Sequence, residues 1–375
     1  MHTTHFMNGS ALSGTTFIIE EVAAPALSVH AALAELPPAA SRLFADPADD
    51  LFASRLWFAT LCAAGLGPES TPLFALCSAA GTPFALLPLA GTADGAGLRS
   101  LTGPYSAAFR PLFAPGASAE TAGALIGRLL RGTNPVRLEA LEAEAPGLDL
   151  FVAGLRHAGL AVLRFDHFGN WYEHVAGLDF AAYLAARPGA LRTTIRRKAR
   201  RAGAGSGFAV ITGGDALEAG IAEYEAAYAR SWKEPEPFPP FNPALMRATA
   251  EAGLLRLGIL RLSGRVAAVQ FWVVSGGSAM LLKLAHDEAL AAHSPGTVLT
   301  ALMIERLLGE GRIAGLDFGR GDDLYKRLWA TRRRQRIGLV LANPRKLRGI
   351  AEIGRAFAGG GRRRLLSALA GGRGG

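Results

Sequence analysis

The chain contains few of the residues that build disulfide frameworks or metal centres. Its two cysteines, Cys62 and Cys77, are too few for a disulfide framework, and neither stands in a metal-ligand spacing. The eight histidines are scattered and no two are four residues apart, so we predict no metal site. Low cysteine usage is typical of a reducing compartment, and we expect a cytoplasmic protein.

Long apolar runs are also missing from the sequence. No stretch reaches eighteen uninterrupted apolar residues, so no transmembrane helix is expected. The N-terminus, MHTTHFMNGSALSGTTF, has no basic start followed by an apolar block, and we therefore expect no secretory signal. Half of the 375 residues are hydrophobic, which is enough to bury two cores.

Charge is concentrated in two regions. From Arg332 to the end there are twelve Lys or Arg residues against one acid, Glu352, so a net charge of +9 for the whole chain leaves the preceding residues at −2. Six of the ten residues from Arg192 to Arg201 are also basic. Such clusters can meet nucleic acid, anionic lipid, an acidic glycan or the phosphates of a ligand, or can form a solvated surface. Few aromatic residues interleave with these runs, which argues against a platform that stacks single-stranded nucleic acid.

The second half alternates apolar strands with amphipathic helices. The predicted strands cover residues 208–212, 254–262, 266–274, 279–286, 314–318 and 336–342, and the predicted helices 215–232, 243–253, 297–308 and 323–329. Turn residues Ser263 and Gly264 and the SGGS run at 275–278 join three of the strands, which indicates an antiparallel meander.

The first half carries its own series of elements. The predicted strands are 17–20, 73–78, 84–89, 136–141 and 160–165, and helices are predicted near 49–64, at 119–131 and after 141. Both halves thus contain a similar set of predicted strands and helices, and we expect the domain boundary near residue 165. A single irregular α/β domain is the alternative.

The loop HDEALAAHSPG at the end of the strand 279–286 leads into a helix that opens with SPGTVL. Ser294 is a suitable N-cap residue, Pro295 fits the first helical position, and Gly296 allows a ligand to approach the backbone. Thr297 adds a hydroxyl group. Because unpaired N–H groups and the helix dipole attract anions, this helix start is a candidate phosphate site, although a well-capped helix alone would show the same residues.

The order strand, two helices, three strands, helix, strand, helix, strand is similar to the GNAT acyltransferase fold. Four motifs resemble the CelD branch of GNAT proteins, which is related to the FemAB aminoacyl transferases: AHD at 285–287, SPGTVL at 294–299, DFGRG at 317–321, and YK at 325–326. The basic helix 191–201 and FAAYLAARPG at 180–189 agree with that branch. The resemblance covers about residues 50 to 345. SPGT departs from the Gln- or Arg-led glycine run that is usual in GNAT proteins.

This resemblance implies an α/β fold with a mixed sheet (α+β) and two tandem GNAT-like domains. Residues 1–165 would form a degenerate N-terminal copy, since they lack counterparts of the SPGT helix start and the DFGRG exit. Residues 166–343 would form the acyltransferase domain, and 344–375 a basic C-terminal tail. The cleft between the two domains would hold the acceptor.

The resemblance also implies a donor, acetyl-CoA or another acyl-CoA, and roles for particular residues. The donor would contact the strand end at Ala285 and the helix start; the residues concerned there are Ser294, Pro295, Gly296, Thr297 and Val298. His286 or Asp287 would be the general base, with Asp317 as the second candidate. Tyr325 would protonate the leaving thiolate, and Lys326 would pair with a phosphate or with Asp317. Asp322, Asp323 and Lys326 could equally serve only the surface and the cap of their helix, and His174 and His293 are expected to be structural or surface residues.

Three classes of function follow. The first is an acyltransferase, acetyl-CoA dependent, that transfers an acetyl group to nitrogen or oxygen of a sugar, a polysaccharide precursor or another small-molecule or glycan acceptor of the cell envelope. The second is a FemAB-like enzyme that moves an aminoacyl group from tRNA to a peptidoglycan precursor. The third is a non-catalytic binding protein with a basic tail that docks on membrane or nucleic acid.

The tail contains a candidate amphipathic helix. If 346–358 is helical, Leu347, Ile350, Ile353 and Phe357 form an apolar stripe, flanked by arginines. Such a helix can lie on an anionic membrane surface, which would hold the protein at the inner face of the cytoplasmic membrane. Packing of the stripe on the catalytic domain is the alternative.

Overall fold

A computed structural model describes residues 24–92, 97–133, 135–202 and 206–355. The strands are β1 Ala26–His30, β2 Pro72–Ala79, β3 Thr82–Gly91, β4 Leu98–Ser100, β5 Leu112–Phe113, β6 Val136–Glu142, β7 Ala161–His174, β8 Ser206–Ile211, β9 Leu255–Leu262, β10 Arg265–Ser275, β11 Ser278–His286, β12 Gly315–Arg320 and β13 Arg332–Ala342. The α-helices are α1 Arg55–Ala64, α2 Ala119–Leu130, α3 Leu148–His157, α4 Phe180–Ala185, α5 Gly189–Ala202, α6 Leu217–Ala229, α7 Phe241–Glu251, α8 Pro295–Gly309 and α9 Leu324–Trp329. A further helix covers 347–355.

In the described residues, thirteen strands form one mixed sheet. Their order is β1-β2-β3-β4-β6-β13-β7-β12-β11-β10-β9-β8, and β5 pairs with β3. The last strand, β13, is inserted between β6 and β7 and is antiparallel to both. The two halves of the chain are therefore joined by continuous backbone hydrogen bonding through the centre of the sheet.

Each half contains the same substructure. In the first half, antiparallel strands lead to β4, helix α2 crosses over, and β6 returns parallel to β4. In the second half, an antiparallel meander leads to β11, helix α8 crosses over, and β12 returns parallel to β11. A parallel return requires a crossover connection, which explains why a helix follows the meander in both halves. The predicted mixed α/β fold is confirmed, and the repeated substructure agrees with two similar units.

Strands β11 and β12 separate after a short paired segment. They pair at Ser278 with Gly315, Ala279 with Leu316 and Met280 with Asp317, and within the described residues the parallel pairing ends there. Gly319 permits this divergence, because its φ is +65° and a Cβ atom at this position would lie 2.7 Å from the carbonyl oxygen of Leu281. The separation leaves an opening at the carboxyl ends of the two strands.

Helix α7 packs the second half against the first. The rings of Tyr105 and Phe241 are stacked with centroids 4.2 Å apart, and Trp57 contacts Phe241 edge-on at 5.6 Å. All three side chains are buried. Stacked and edge-on aromatic pairs of this kind stabilise an interface by more than the burial of their apolar area alone. These contacts therefore hold the two halves rigidly together.

Most of the predicted elements of the second half agree with the structure to within a few residues. The boundary at 165 differs, since this residue lies inside β7, which continues to His174. The helix expected near 49–64 begins at Arg55, because Ser54 accepts a hydrogen bond from the N–H of Trp57 and caps it there. The strand expected at 17–20 lies outside the described residues.

Candidate functional site

A cavity of about 870 Å³ occupies the opening between β11 and β12. Its walls come from β11, from the end of β12, from the start of α8, from α9 and from the segment that precedes α7. Pro104, Tyr105 and Ala107 of the first half close one side. The volume is within the usual range for sites that bind small molecules and cofactors, and its position at a strand divergence makes it the candidate active site.

The start of α8 forms one end of this cavity. Ser294, Gly296 and Thr297 line it, and Pro295 occupies the first helical position. Ser294 is the N-cap residue as predicted, but its side chain caps no N–H, because the residue is in the left-handed conformation with φ 52° instead of the extended conformation that such capping requires. The strained turn directs the chain so that its first turn, with the unpaired amides of a helix N-terminus, borders the cavity.

Tyr325 projects from α9 toward the same helix start. Its hydroxyl lies 2.7 Å from Oγ1 of Thr300 and 3.3 Å from the carbonyl oxygen of Gly296. Burial raises the pKa of the Tyr325 phenol to about 12, although hydrogen bonds from its neighbours oppose the rise. The phenol is therefore protonated at neutral pH, and it borders the cavity with a proton that it can donate.

His286 ends β11 and lines the cavity beside the helix start. A Cβ atom at Gly296 would lie 3.5 Å from Nδ1 of His286, and the imidazole packs on Trp232 with ring centroids 4.3 Å apart. Nδ1 is buried and has no hydrogen-bond partner in the described part of the chain. Burial lowers the pKa of this imidazole below its usual 6.5, helped by the charge of Lys233, so the ring is neutral at pH 7 and able to accept a proton.

Lys326 is one of several cations around the cavity. Its Nζ donates to the carbonyl oxygen of Arg320 at 2.6 Å and lies 3.6 Å from a carboxylate oxygen of Asp323. Burial lowers its pKa. Lys233, Lys283 and Arg320 line the same space, and Lys283 is paired with Glu236 at 2.6 Å. The cavity is thus predominantly basic, which favours an anionic ligand.

The structure corrects the placement predicted for Asp287. Its side chain is 2 % exposed, lies outside the cavity lining, and is paired with Arg230 at 2.9 Å and with Arg265 at 2.5 Å. Burial raises the pKa of this carboxyl group, but the hydrogen bonds from the two arginines outweigh burial and hold the pKa below its usual value. Asp287 therefore anchors the loop after β11 and does not face the junction.

Asp317 is likewise a structural carboxylate. Its Oδ1 accepts hydrogen bonds from Nδ2 of Asn170 and from the N–H of Gly319, both at 2.7 Å, and its Oδ2 pairs with Arg334. It does not pair with Lys326 and does not line the cavity. These bonds bend β12 just where it leaves β11, so Asp317 acts by shaping the opening.

The donor-contact residues predicted at the helix start divide into two groups. Ser294, Gly296 and Thr297 line the cavity, as do His286, Tyr325 and Lys326. Ala285, Pro295 and Val298 are buried and their side chains do not line it. The backbone amide of Val298 donates to the carbonyl oxygen of Ser294, so it is engaged within the helix.

Sequence reasoning missed several residues of the cavity wall that lie outside α8 and α9. Tyr105, Trp232, Lys233, Asn242 and Lys283 all line the cavity. Tyr105 lies in a loop of the first half, and Trp232 and Lys233 lie in the segment before α7. Asn242 is in the first turn of α7, and Lys283 is on β11. No sequence motif connects these residues. Lys283 alone carried a signal, because it interrupts the apolar strand AMLLKLAH.

In the described residues, no group of three or more His, Cys, Asp or Glu side chains is arranged to hold a metal ion. Among the helices in the same part of the chain, none has the length and apolar character needed to cross a membrane.

Comparison with known families and structures agrees with this geometry. Residues 189–327 match the family model of the acetyltransferase (GNAT) domain. No curated protein matches the sequence significantly. The matched segment begins at α5 and ends in α9, so it contains the meander, the start of α8, the strand divergence and Tyr325.

Two solved structures show the same fold over most of the chain. FemX is 10% identical, with a TM-score of 0.54, and the likeness covers 80% of this chain and 94% of FemX. A tandem GNAT protein from the clavulanic acid biosynthesis pathway is 14% identical, with a TM-score of 0.50 and coverage of 84% and 98%. At this identity the likeness concerns the fold. The chain thus has a tandem GNAT fold, and a segment of its second half matches the family model of the GNAT acetyltransferase domain.

Proposed function

We propose that the protein is an acyltransferase that uses acetyl-CoA, or another acyl-CoA, to acylate an amine or hydroxyl group of a small-molecule or glycan acceptor. The observation that carries this proposal is the cavity between β11 and β12, which borders a helix N-terminus, a protonated phenol and a neutral imidazole. Acyl transfer needs an anion site for the donor, a base and an acid, and these three features supply them.

The residues at the start of α8 fit the pyrophosphate of such a donor. Gly296 presents its backbone to the cavity without a side chain, and Thr297 adds a hydroxyl group. Lys326 supplies a cation that is only 13% exposed. A thioester donor would provide the activated carbonyl group, and the residues of the chain would bind it and move protons.

In the proposed reaction the nitrogen or oxygen of the acceptor attacks the thioester carbonyl carbon. His286 accepts the proton that the nucleophile loses, because its imidazole is neutral at pH 7. The carbon–sulfur bond breaks, and the Tyr325 hydroxyl gives its proton to the leaving thiolate. Asp287 and Asp317, whose carboxylates are occupied by arginines, take no proton in this scheme.

A FemAB-like transfer from aminoacyl-tRNA is the second candidate. It is supported by the fold likeness to FemX and by α5, where Arg192, Arg196 and Arg197 are exposed and could contact phosphates. The third candidate is a non-catalytic binding protein. Under the first candidate function, we further propose that the protein is related to the CelD branch. Its acceptor would be a sugar or polysaccharide precursor of the cell envelope.

Thermal unfolding with separate ligands tests these candidates. A ligand at a hundred times its Kd adds about 2.7 kcal/mol to the free energy of unfolding, so acetyl-CoA is expected to raise Tm clearly while aminoacyl-tRNA does not. A shift with aminoacyl-tRNA alone would favour the second candidate. Donor binding without thiol release in the presence of any amine or sugar acceptor would favour the third.

We also propose that the protein is cytoplasmic and held peripherally at an anionic membrane surface. In the helix 347–355, Leu347 is 86% exposed and Ile350 54% exposed, whereas Ile353 is half-buried, so the first two side chains of the predicted stripe are largely accessible to solvent. Phe357 lies outside the described residues. Exposed apolar side chains beside Arg345, Lys346 and Arg348 are typical of a helix that binds an anionic interface.

A further inference from the structure

We propose that the end of the cavity at Lys233 and Asn242 is a subsite for a carboxylate or phosphate group of the acceptor. This inference rests on the proposed acyl transfer and specifies the acceptor as an anionic molecule. It follows from an unneutralised cation, an unpaired amide and aromatic side chains that line the same cavity.

Lys233 is a half-buried cation without an anionic partner. It lines the cavity, and its Nζ lies 5.8 Å from the ring centroid of Trp232. The two carboxylates that act on Lys233, those of Glu236 and Asp323, are paired with other lysines: Glu236 with Lys283 at 2.6 Å and Asp323 with Lys326 at 3.6 Å. Within the described residues Lys233 forms no ion pair. A cation removed from water without a counter-charge is unfavourable, so the site gains free energy when an anion binds.

Asn242 supplies a hydrogen-bond donor at the same wall. It is 2% exposed and lines the cavity, and its Nδ2 has no partner in the described part of the chain. It lies in the first turn of α7, whose N-cap residue, Pro240, provides no side-chain cap. Because a buried N–H group without a partner costs free energy and the N-terminus of a helix favours negative charge, both features select an oxygen anion.

We assign this subsite to the acceptor because part of the adjoining cavity wall comes from the first half of the chain. The stacked rings of Tyr105 and Phe241 lie beside it, and Nζ of Lys283 is 4.8 Å from the Tyr105 ring centroid. Tyr105 belongs to the first half of the chain, whereas the helix start, Tyr325 and Lys326 belong to the GNAT domain and form the proposed donor site. An acceptor anchored between the halves would present its nucleophile toward the strand divergence.

Calorimetric titration with matched probes tests the subsite at pH 7, with and without coenzyme A. Glutarate and glycerol 3-phosphate carry the two anionic groups, and glutaramide and glycerol are their neutral counterparts. We expect at least one anion to bind and neither neutral probe to do so. The anion that binds more tightly identifies the group that the subsite takes.

Three variants locate the binding. Lys233→Met should weaken binding of the anion about tenfold or more, because the positive charge is lost, and Asn242→Leu several-fold, because one hydrogen bond to the anion is lost. Arg42→Met, which removes a positive charge from an exposed residue outside the cavity, should have no effect, and all three should bind coenzyme A normally. Failure of both anions to bind, equal binding by Lys233→Met, or a selective loss of coenzyme A affinity in Lys233→Met would overturn the proposal. The probes are also titrated without coenzyme A. If the proposed donor site is wrong, these titrations still show whether the anion binds at Lys233 and Asn242.

Discussion

The hydroxyl groups of Tyr325 and Thr300 lie 2.7 Å apart, which fixes the phenol at the first turns of α8. Thr300 is itself held, because its Oγ1 donates to the carbonyl oxygen of Gly296 at 2.9 Å and receives a hydrogen bond from Nε2 of Gln270. The phenol thus sits beside the proposed phosphate site through a chain of buried hydrogen bonds. Such a chain orients a proton donor before any ligand binds.

Tyr325→Phe should lower kcat by roughly ten- to ten-thousandfold while the Kd for acetyl-CoA changes little, because the substitution removes the acidic hydroxyl group and keeps the ring. Thiol release from acetyl-CoA measures kcat, and calorimetry measures Kd. Tyr172→Phe, on β7 and outside the cavity lining, is the matched control. Equal turnover by the Tyr325 variant and the parent would rule out this tyrosine as the acid.

Gly296→Glu should abolish acetyl-CoA binding. Gly296 borders the cavity at the first turn of α8, where a carboxylate would meet the phosphates and oppose the helix dipole. Gly309→Glu places the same side chain at the other end of α8, where a Cβ atom meets nothing within 4 Å, and should bind the donor normally. If the folded Gly296 variant keeps the affinity of the parent, the phosphates bind elsewhere.

The acid limb of the kcat/KM profile should report His286. Burial lowers the pKa of its imidazole below 6.5, so the neutral base persists to more acidic pH than for an exposed histidine, and activity should fall only as pH drops through that lowered pKa. His286→Gln should lower kcat by roughly a hundredfold or more and remove this limb. A profile whose acid limb is unchanged in the variant would assign the base to another group.

The strands and helices around the site could be predicted from the sequence, because residues close together in the chain determine each of them. Turn residues at Ser263 and Gly264 and the apolar periods on either side determine the meander, and the DFGRG exit contains the glycine that the strand divergence requires. The wall formed by Tyr105, Lys233 and Asn242 was not predictable, because it arises from packing of α7 against the first half. The contacts between α7 and the first half give these residues their positions, and local patterns in a single sequence do not reveal such long-range contacts.

The same limit explains the two misplaced carboxylates. Asp287 and Asp317 stand at strand ends next to the predicted site, where acidic residues often act as bases. Their arginine partners, Arg265 and Arg334, lie 22 and 17 residues away in sequence. Only the tertiary structure shows that these charges are already neutralised.

Asp287→Asn should therefore lower stability and leave donor binding intact. Two arginines lose their carboxylate, and we expect a loss of roughly 1–3 kcal/mol in the free energy of unfolding at pH 7. Since the pKa of Asp287 is lowered in the folded state, its contribution is present at neutral pH and disappears as pH falls through that pKa. Urea unfolding at several pH values measures this, with the exposed Asp166→Asn as control. An unchanged stability with lost turnover would instead return Asp287 to the catalytic site.

The helix 347–355 should bind anionic membranes through its exposed apolar side chains and its basic groups. Replacing both Leu347 and Ile350 with serine should reduce co-sedimentation with vesicles that contain anionic lipid, and a chain that ends at Asn343 should lose it. Leu150→Ser is the control, because Leu150 is 56% exposed on α3, elsewhere on the molecule. Each basic group near the surface contributes on the order of 1 kcal/mol, screened by salt, so pelleting of the intact chain should decline as salt rises. Equal pelleting of the intact and shortened chains, or of neither, would refute membrane attachment through this helix.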